Sequence, residues 1–371
     1  MPTLSLARLS PSSLASSIAA MAIGSILLSA ASAQAQWTVT YLNPAGATQS
    51  FATASTGIQQ AGCATFNGVD RAGIWSGTAA SWVDLNPSGS THSCVVDTTG
   101  TQQAGFAQIG GVYRAGIWSG TAGSWVDLSP AGATTSVAAA TTSTQQAGYA
   151  DIGGPGRGRR AGIWSGTAAS WVSLNPAGAF ESAALATTGT QQAGYAEFGS
   201  GPRAGIWSGT AESWVNLNPA GAFESSALST TGTQQVGYAT FGIGSGYRAG
   251  IWSGTAASWV DLTPAGSTQS YAYATTGTQQ AGWSVIGSVG RAGIWSGTAG
   301  SWEDLHDQFR WDASSATSIW SDATTLYVAG YGFNTILDAE EAVLWTRPIP
   351  TPGAASVLAL GGLMAAKRRR S

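Results

Sequence analysis

Between residues 36 and 347 the apolar side chains fall in short runs broken by Gly, Pro, Thr and Ser, and no stretch carries the period of an amphipathic helix. In the unit that ends at Pro264, four such runs follow one another at residues 227–229, 234–241, 248–253 and 258–262. A Thr-Thr-Gly turn follows the first, Gly254-Thr255-Ala256 separates the third from the fourth, and Pro264 stops the last. Runs of this length and punctuation predict β-strands, four to a unit.

The unit recurs. Aligning "RAGIWSGTAASW" on its first Trp gives Trp75, Trp118, Trp164, Trp207, Trp252 and Trp295 at intervals of 43, 46, 43, 45 and 43 residues, and a diverged copy places Trp345 after a further 50. Four antiparallel strands in about 45 residues is the size of a β-propeller blade. The phase of the repeat says more. The last unit supplies "TSIWSDATT", "LYVAGYGF" and "EAVLWTRP" and stops before any fourth strand. The chain from Gln36 begins "QWTVTYLNP", whose Leu42-Asn43-Pro44 matches Leu85-Asn86-Pro87 at the end of a fourth strand. The expectation is an all-β, seven-bladed propeller of four-stranded blades, its last blade closed beside Trp345 by the N-terminal strand, so that no sheet edge stays open. The alternative, an open β-solenoid, would show atypical caps at both ends and has no use for a split unit.

The unit "TTGTQQVGYATF…RAGIWSGTAASWVDLTPAG" resembles the HAF-type extracellular repeats of bacteria over about 300 residues. Ala249-Gly250-Ile251-Trp252 stands where that family has Ala-Phe-Leu-Trp, and Asp261-Leu262 where it has Asp-Leu; Arg248, Gly250 and Thr263-Pro264 depart from its pattern. The resemblance implies an extracellular repeat protein and carries no activity.

Composition adds a destination. Charged residues make up 9% of the chain, against roughly 25% in ordinary soluble domains, and Lys occurs once, at Lys367. A surface wetted by Ser, Thr, Gln and backbone suits a secreted β-rich protein. Residues 1–35 read as a signal peptide: Arg8, an apolar stretch, and a small-residue cleavage site at Ala31-Ser32-Ala33 or Ala33-Gln34-Ala35. A retained N-terminal membrane anchor is the alternative. Residues 348–371 hold a proline-broken linker, an apolar run from Ala354 to Ala366, and Lys367, Arg368, Arg369 and Arg370. That run is too short to span a bilayer comfortably, and the basic cluster would hold it at the inner membrane in transient contact. This layout resembles the PEP-CTERM sorting signal, with Pro350 and Pro352 in its proline motif and Thr351 where the family has Glu. The resemblance implies an exosortase-like processing enzyme as partner; an uncleaved tail anchor remains the alternative. Loss of Arg8 and the four tail cations takes the formal charge from −3 to −8, which argues against nucleic acid as a partner.

In a ring, each repeated position becomes a circle of side chains. Arg71, Arg114, Arg160, Arg203, Arg248 and Arg291, with Glu341 in the seventh place, make either an anion- or glycan-binding rim or a set of local partners for the neighbouring Asp. The second Trp series, from Trp82 to Trp302, offers sugar-stacking platforms or packing between blades, and packing is expected. One Gln of each pair, as in Gln59-Gln60, is expected to bond between blades and the other to meet solvent or the channel. Asp84, Asp127, Asp261 and Asp304 lack the companions of a Ca²⁺ loop, so no metal or other cofactor is expected. Only His92 and His306 exist, and no G-x-S-x-G or H-E-x-x-H occurs. Cys63 replaces an aromatic of the other units and Cys94 lies in the next unit, which suggests a disulfide between neighbouring blades. The most irregular segment, 306–322, carries Asp307, Arg310, Trp311 and Asp312, where a unique site is expected.

These readings converge on an exported, non-catalytic structural or binding module for polysaccharide or protein at the cell surface or in the matrix. The alternative is an extracellular polysaccharide hydrolase or lyase acting in the channel.

Overall fold

The computed structural model describes residues 36–153, 158–199 and 201–350. Ala33 and Ala35 of the expected leader site, and Pro352, Arg368, Arg369 and Arg370 of the expected sorting signal, lie outside the described residues; Pro350 is the last one inside.

Seven four-stranded antiparallel sheets follow one another. Blade 1 runs from the axis outward as Gln49–Ser55, Gln60–Phe66, Val69–Trp75 and Val83–Asp84. Blades 2 to 6 repeat this order over residues 90–127, 133–173, 181–216, 224–261 and 267–304. Blade 7 takes Trp311–Ser321, Thr325–Asn334 and Ala339–Pro348, and its outermost strand is Thr38–Tyr41 from the other end of the chain. Val39 stands opposite Trp345, and the Leu42 amide donates to the Ala342 carbonyl at 2.8 Å. The split unit closes a seven-bladed propeller, and the open solenoid is ruled out.

The fourth strands are shorter than the sequence suggests. In blade 5 only Val260–Asp261 joins the ladder, where residues 258–262 were expected. The cause is the hairpin before it. Ser258 Oγ accepts from the Ser253 amide and donates to the Thr255 carbonyl, winding Ala256–Ser258 into a 3-10 turn. That turn throws Trp259 over Gly250, where any Cβ would collide with the indole, and packs it tilted against Trp252 at 4.6 Å between centroids. Glycine is therefore required in "RAGIW" by the second Trp of the same unit.

The first Trp of each unit is the main inter-blade contact. Trp75, Trp118, Trp164, Trp207, Trp252, Trp295 and Trp345 are at most 1% exposed. Trp118 of blade 2 packs on Ala61, Ala72, Ile74 and Leu85 of blade 1, and the following seams copy this cluster. Burying each ring contributes on the order of 2–3 kcal/mol. Small residues on the receiving blade make the close approach possible.

Polar contacts set the register of the ring. Buried Ser93, Ser136, Ser182, Ser225, Ser270 and Ser314 each accept the amide of an Ala in the preceding blade, and Ser50 accepts that of Ala342 across the closure, all at 2.9–3.0 Å. The first Gln of a pair bridges blades as expected: Gln59 Oε1 accepts from Thr98 Oγ1 at 2.7 Å and Gln103 Nε2 at 3.1 Å. The second Gln departs from expectation, because Gln60 and its equivalents are fully buried and hold the Gly amide of their own hairpin, as Gly77 to Gln60 at 2.9 Å. A buried hairpin amide needs an acceptor, and water cannot reach it.

Two clusters bind the closing strand. Trp37 Nε1 donates to Glu303 Oε1 at 2.6 Å, Arg347 donates to the same carboxylate at 2.6 and 2.7 Å, and its guanidinium lies 4.4 Å from the Trp37 ring. Below, Arg310 donates to Glu341 at 2.7–3.0 Å, and its guanidinium lies 3.6 Å from the Tyr41 ring.

Candidate functional site

The irregular segment expected to hold a unique site belongs instead to this closure. Arg310 is engaged by Glu341 and Tyr41, and Trp311 is 2% exposed, edge-on to Trp345 at 5.7 Å. Asp307 caps the local turn through the Phe309 amide at 3.0 Å, and Asp312 is exposed. A ligand cannot stack on a buried Trp311 or pair with an Arg310 whose carboxylate is already in place.

Most of the arginine circle is also used internally. Arg71, Arg114, Arg248 and Arg291 reach Asp84, Asp127, Asp261 and Asp304 of their own blades at 2.9–3.1 Å. These half-exposed pairs contribute little to stability. Each Asp also accepts the amide two residues on, as Asn86 N at 2.7 Å. In blades 3 and 4, Arg160 and Arg203 have Ser173 and Asn216 in place of the acid. Arg160 borders a shallow depression of about 650 Å³ beside Trp171 on the outer wall.

Cys63 and Cys94 form a disulfide across the seam of blades 1 and 2, with Cα atoms 4.9 Å apart. The same pair of positions holds Tyr331 and Phe51 at the closure, 5.1 Å apart, and Tyr238 and Tyr271 between blades 5 and 6, 4.8 Å apart. His92 lies 3.3 Å from Asp70 and stacks on Phe106, and His306 Nδ1 sits 2.8 Å from Ser314 Oγ. No group of three metal-ligating side chains occurs among the described residues.

The best-formed cavity is the channel mouth at the end where the inner strands finish. It measures about 1240 Å³ and all seven blades line it. The innermost strands carry a bulge there, and the bulge position reads Thr53, Val96, Ala139, Leu185, Leu228, Tyr273 and Thr317 around the ring. At this position the wall is short-chained and mostly apolar, with one large aromatic on blade 6, and Trp320 of blade 7 also borders the mouth.

Asp97 is the one charged side chain among the described residues lining the mouth. Its carboxylate accepts the amides of Thr98 and of Thr141 in the next blade, both at 2.8 Å. Burial pushes the carboxyl up to about 6, against the pull of those two amides. The folded state therefore keeps a proton that an unfolded Asp, near pH 4, has lost. The stabilisation is complete below about pH 4 and gone by about pH 6. Asp97→Asn removes the charge but keeps only one of the two acceptors, so one of the two amides loses its partner at any pH. Because Asp97 is half-buried and channel water screens it, the variant should gain about 1 kcal/mol on the parent between pH 4 and pH 7.5. Urea midpoints at the two pH values check this; a difference between variant and parent that is the same at both would contradict it.

Behind Tyr273, a run of aromatics fills the seam of blades 5 and 6. Tyr271 and Tyr273 of the innermost strand lie parallel within 10° at 5.9 Å. Trp283 stacks on Tyr271 at 5.4 Å and donates its indole N–H to Tyr273 Oη at 2.7 Å. Tyr238 and Tyr247 of blade 5 meet Tyr271 at 4.8 and 5.1 Å. Burial pushes the Tyr238 and Tyr273 phenols up to about 12, so both stay neutral. Sequence reasoning missed this cluster. Aligning the innermost strands across units would have exposed it, because only blade 6 has tyrosine at both positions.

No family model and no curated protein sequence matches the chain. Solved structures do. TolB from Acinetobacter baumannii aligns at 12% identity and TM-score 0.45, covering 63% of this chain and 58% of that one. A puromycin hydrolase aligns at 10% identity and TM-score 0.56, covering 82% of this chain and 56% of that one. The chain thus spans little more than half the length of either. The β-propeller domain of the Trilobed protease from Pyrococcus furiosus, described as having an open velcro topology, aligns at 9% identity and TM-score 0.51, covering 84% and 98%. At these identities the second and third likenesses establish the β-propeller fold and nothing further.

Proposed function

We propose that the protein is an exported, non-catalytic binding module of the cell surface or extracellular matrix that takes its ligand at the channel mouth. One observation carries the reading. The repeated Trp, Ser, Gln and most Arg side chains are engaged within or between blades, whereas Asp97 and Tyr273 break the repeat on the channel wall. The leader and the tail support export, with an exosortase-like enzyme as the processing partner. An intact mass of the exported protein that still includes residues 351–371 would argue against cleavage. A polysaccharide-active enzyme in the same channel is the competing reading, and it requires turnover of a bound glycan.

The test is a combined glycan and peptide array with the parent and with Ala139→Trp, which fills the mouth from blade 3. Binding lost in the variant supports the channel. Binding equal in both places the ligand elsewhere, and cleavage of a bound glycan favours the enzyme.

A further inference from the structure

We propose that the outer wall of blade 3 carries a second binding site, apart from the channel mouth, which takes the carboxylate of a uronic acid unit in an anionic polysaccharide. The site is the depression of about 650 Å³ bordered by Arg160, Trp171 and Ser173, with Pro130, Ala131 and Ile152 as apolar lining. That volume falls within the roughly 300–1,000 Å³ of small-molecule sites.

The other blades show what the Arg160 guanidinium lacks. In blades 1, 2, 5 and 6 the equivalent Nη1 donates to the Oδ2 of an Asp 13 residues further on, at 2.9–3.1 Å. In blade 3 that place is Ser173, which brings no charge. Arg160 has no hydrogen bond or ion pair with any other described residue. A carboxylate that arrives with a ligand meets the donor that four Asp side chains meet elsewhere in the ring, and a guanidinium stays charged at any working pH.

The exchange of Asp for Ser removes the charge and little else. In the paired blades the Asp also holds the outer turn by accepting the amide two residues on, as Asn86 N at 2.7 Å. Ser173 Oγ keeps that role for the Asn175 amide at 3.3 Å. The turn is retained, and only the internal anion is gone. Blade 4 makes a similar exchange, with Asn216 Oδ1 accepting the Asn218 amide at 2.8 Å, but Arg203 there is engaged.

The lining selects the class of ligand. Arg160 is the one charged side chain among its described residues, so no carboxylate of the wall repels an anion. Ser173 Oγ accepts from Asn175 and still has its proton to donate to the incoming carboxylate. The C–H face of a sugar ring can pack on the part of Trp171 that borders the depression. An acidic protein segment offers the same carboxylate on a flexible stem without the ring, and the experiment separates the two.

The experiment is titration calorimetry on the full chain with hexamers of galacturonate and of mannuronate, and with a neutral glucose hexamer and hexaglutamate as comparisons. At least one uronate hexamer is expected to bind, and the glucose hexamer is not. Arg160→Gln should weaken the uronate about tenfold. Ser173→Asp should do the same, because it rebuilds the ion pair that four other blades carry and so keeps a geometry this fold already accepts. Added salt should weaken binding as well. Ala139→Trp should leave it unchanged, which separates this site from the channel mouth. Hexaglutamate bound as tightly, and lost in the same variants, would assign the depression to an acidic protein segment and overturn the uronate. A glucose hexamer that binds as well as the uronate, uronate binding indifferent to Ser173→Asp, or no uronate binding at all overturns the site and leaves the channel reading standing.

Discussion

A chain lacking residues 37–43 is expected not to reach a stable monomeric fold. The deleted strand carries Leu42, fully buried among Ala342, Leu344 and Trp75, and Tyr41, which packs edge-on to Trp311 at 6.1 Å beneath the Arg310 guanidinium. Burial of Leu42 and of most of Tyr41 and Trp37 amounts to about 5 kcal/mol, as much as a marginal domain has in total. The deletion also takes the Trp37 indole from the Glu303–Arg347 pair and opens the edge of the Ala339–Pro348 strand over residues 342–346. An open strand edge pairs with other chains. Size-exclusion chromatography with urea unfolding checks this: aggregation or loss of the cooperative transition is expected, and a monomer with the parent's midpoint would contradict it.

Gly148→Ala is expected to cost about 4 kcal/mol or more, while Gly123→Ala should change stability by less than about 0.5 kcal/mol. Gly148 lies where the second strand of blade 3 crosses close to the first, and a Cβ there would sit inside the van der Waals radius of the Val137 carbonyl oxygen. Backbone cannot swing aside as a side chain does, so two strands of one sheet must part. The same crowding recurs at Gly62, Gly105, Gly194, Gly237, Gly282 and Gly330, once in every blade. Gly123, in the 3-10 turn of blade 2, has open space around its Cβ direction, and other units carry Ala at that place. Paired denaturation curves compare the two; equal effects would show that the inner strands are less closely packed than described.

The repeat made the architecture readable because a ring must solve one packing problem seven times. Trp252, Gly250 and the Gln pair each repeat for a contact that recurs at each step, and the unmatched Leu42-Asn43-Pro44 disclosed how the ends meet. What the repeat concealed falls into two kinds. The contacts of Trp37, Glu303, Arg347, Arg310 and Glu341 occur once, between residues far apart in the chain, and no local pattern marks them. The irregularity of segment 306–322 was visible, but irregularity at a closure reflects the different geometry of a blade built from two ends of the chain. The channel residues were hidden for the opposite reason. Asp97 and Tyr273 sit within ordinary-looking strands, and only their position on the axis gives them a shared wall.

The closure by the N-terminal strand is tested most directly by hydrogen-exchange mass spectrometry on the intact protein. The Leu42 amide and those of the Thr38–Tyr41 strand are expected to exchange as slowly as those of residues 343–346 and to open together with them, since the two strands form one ladder. Rapid exchange across residues 38–42, with residues 343–346 still protected, would show that the last blade is left open and contradict the closed ring.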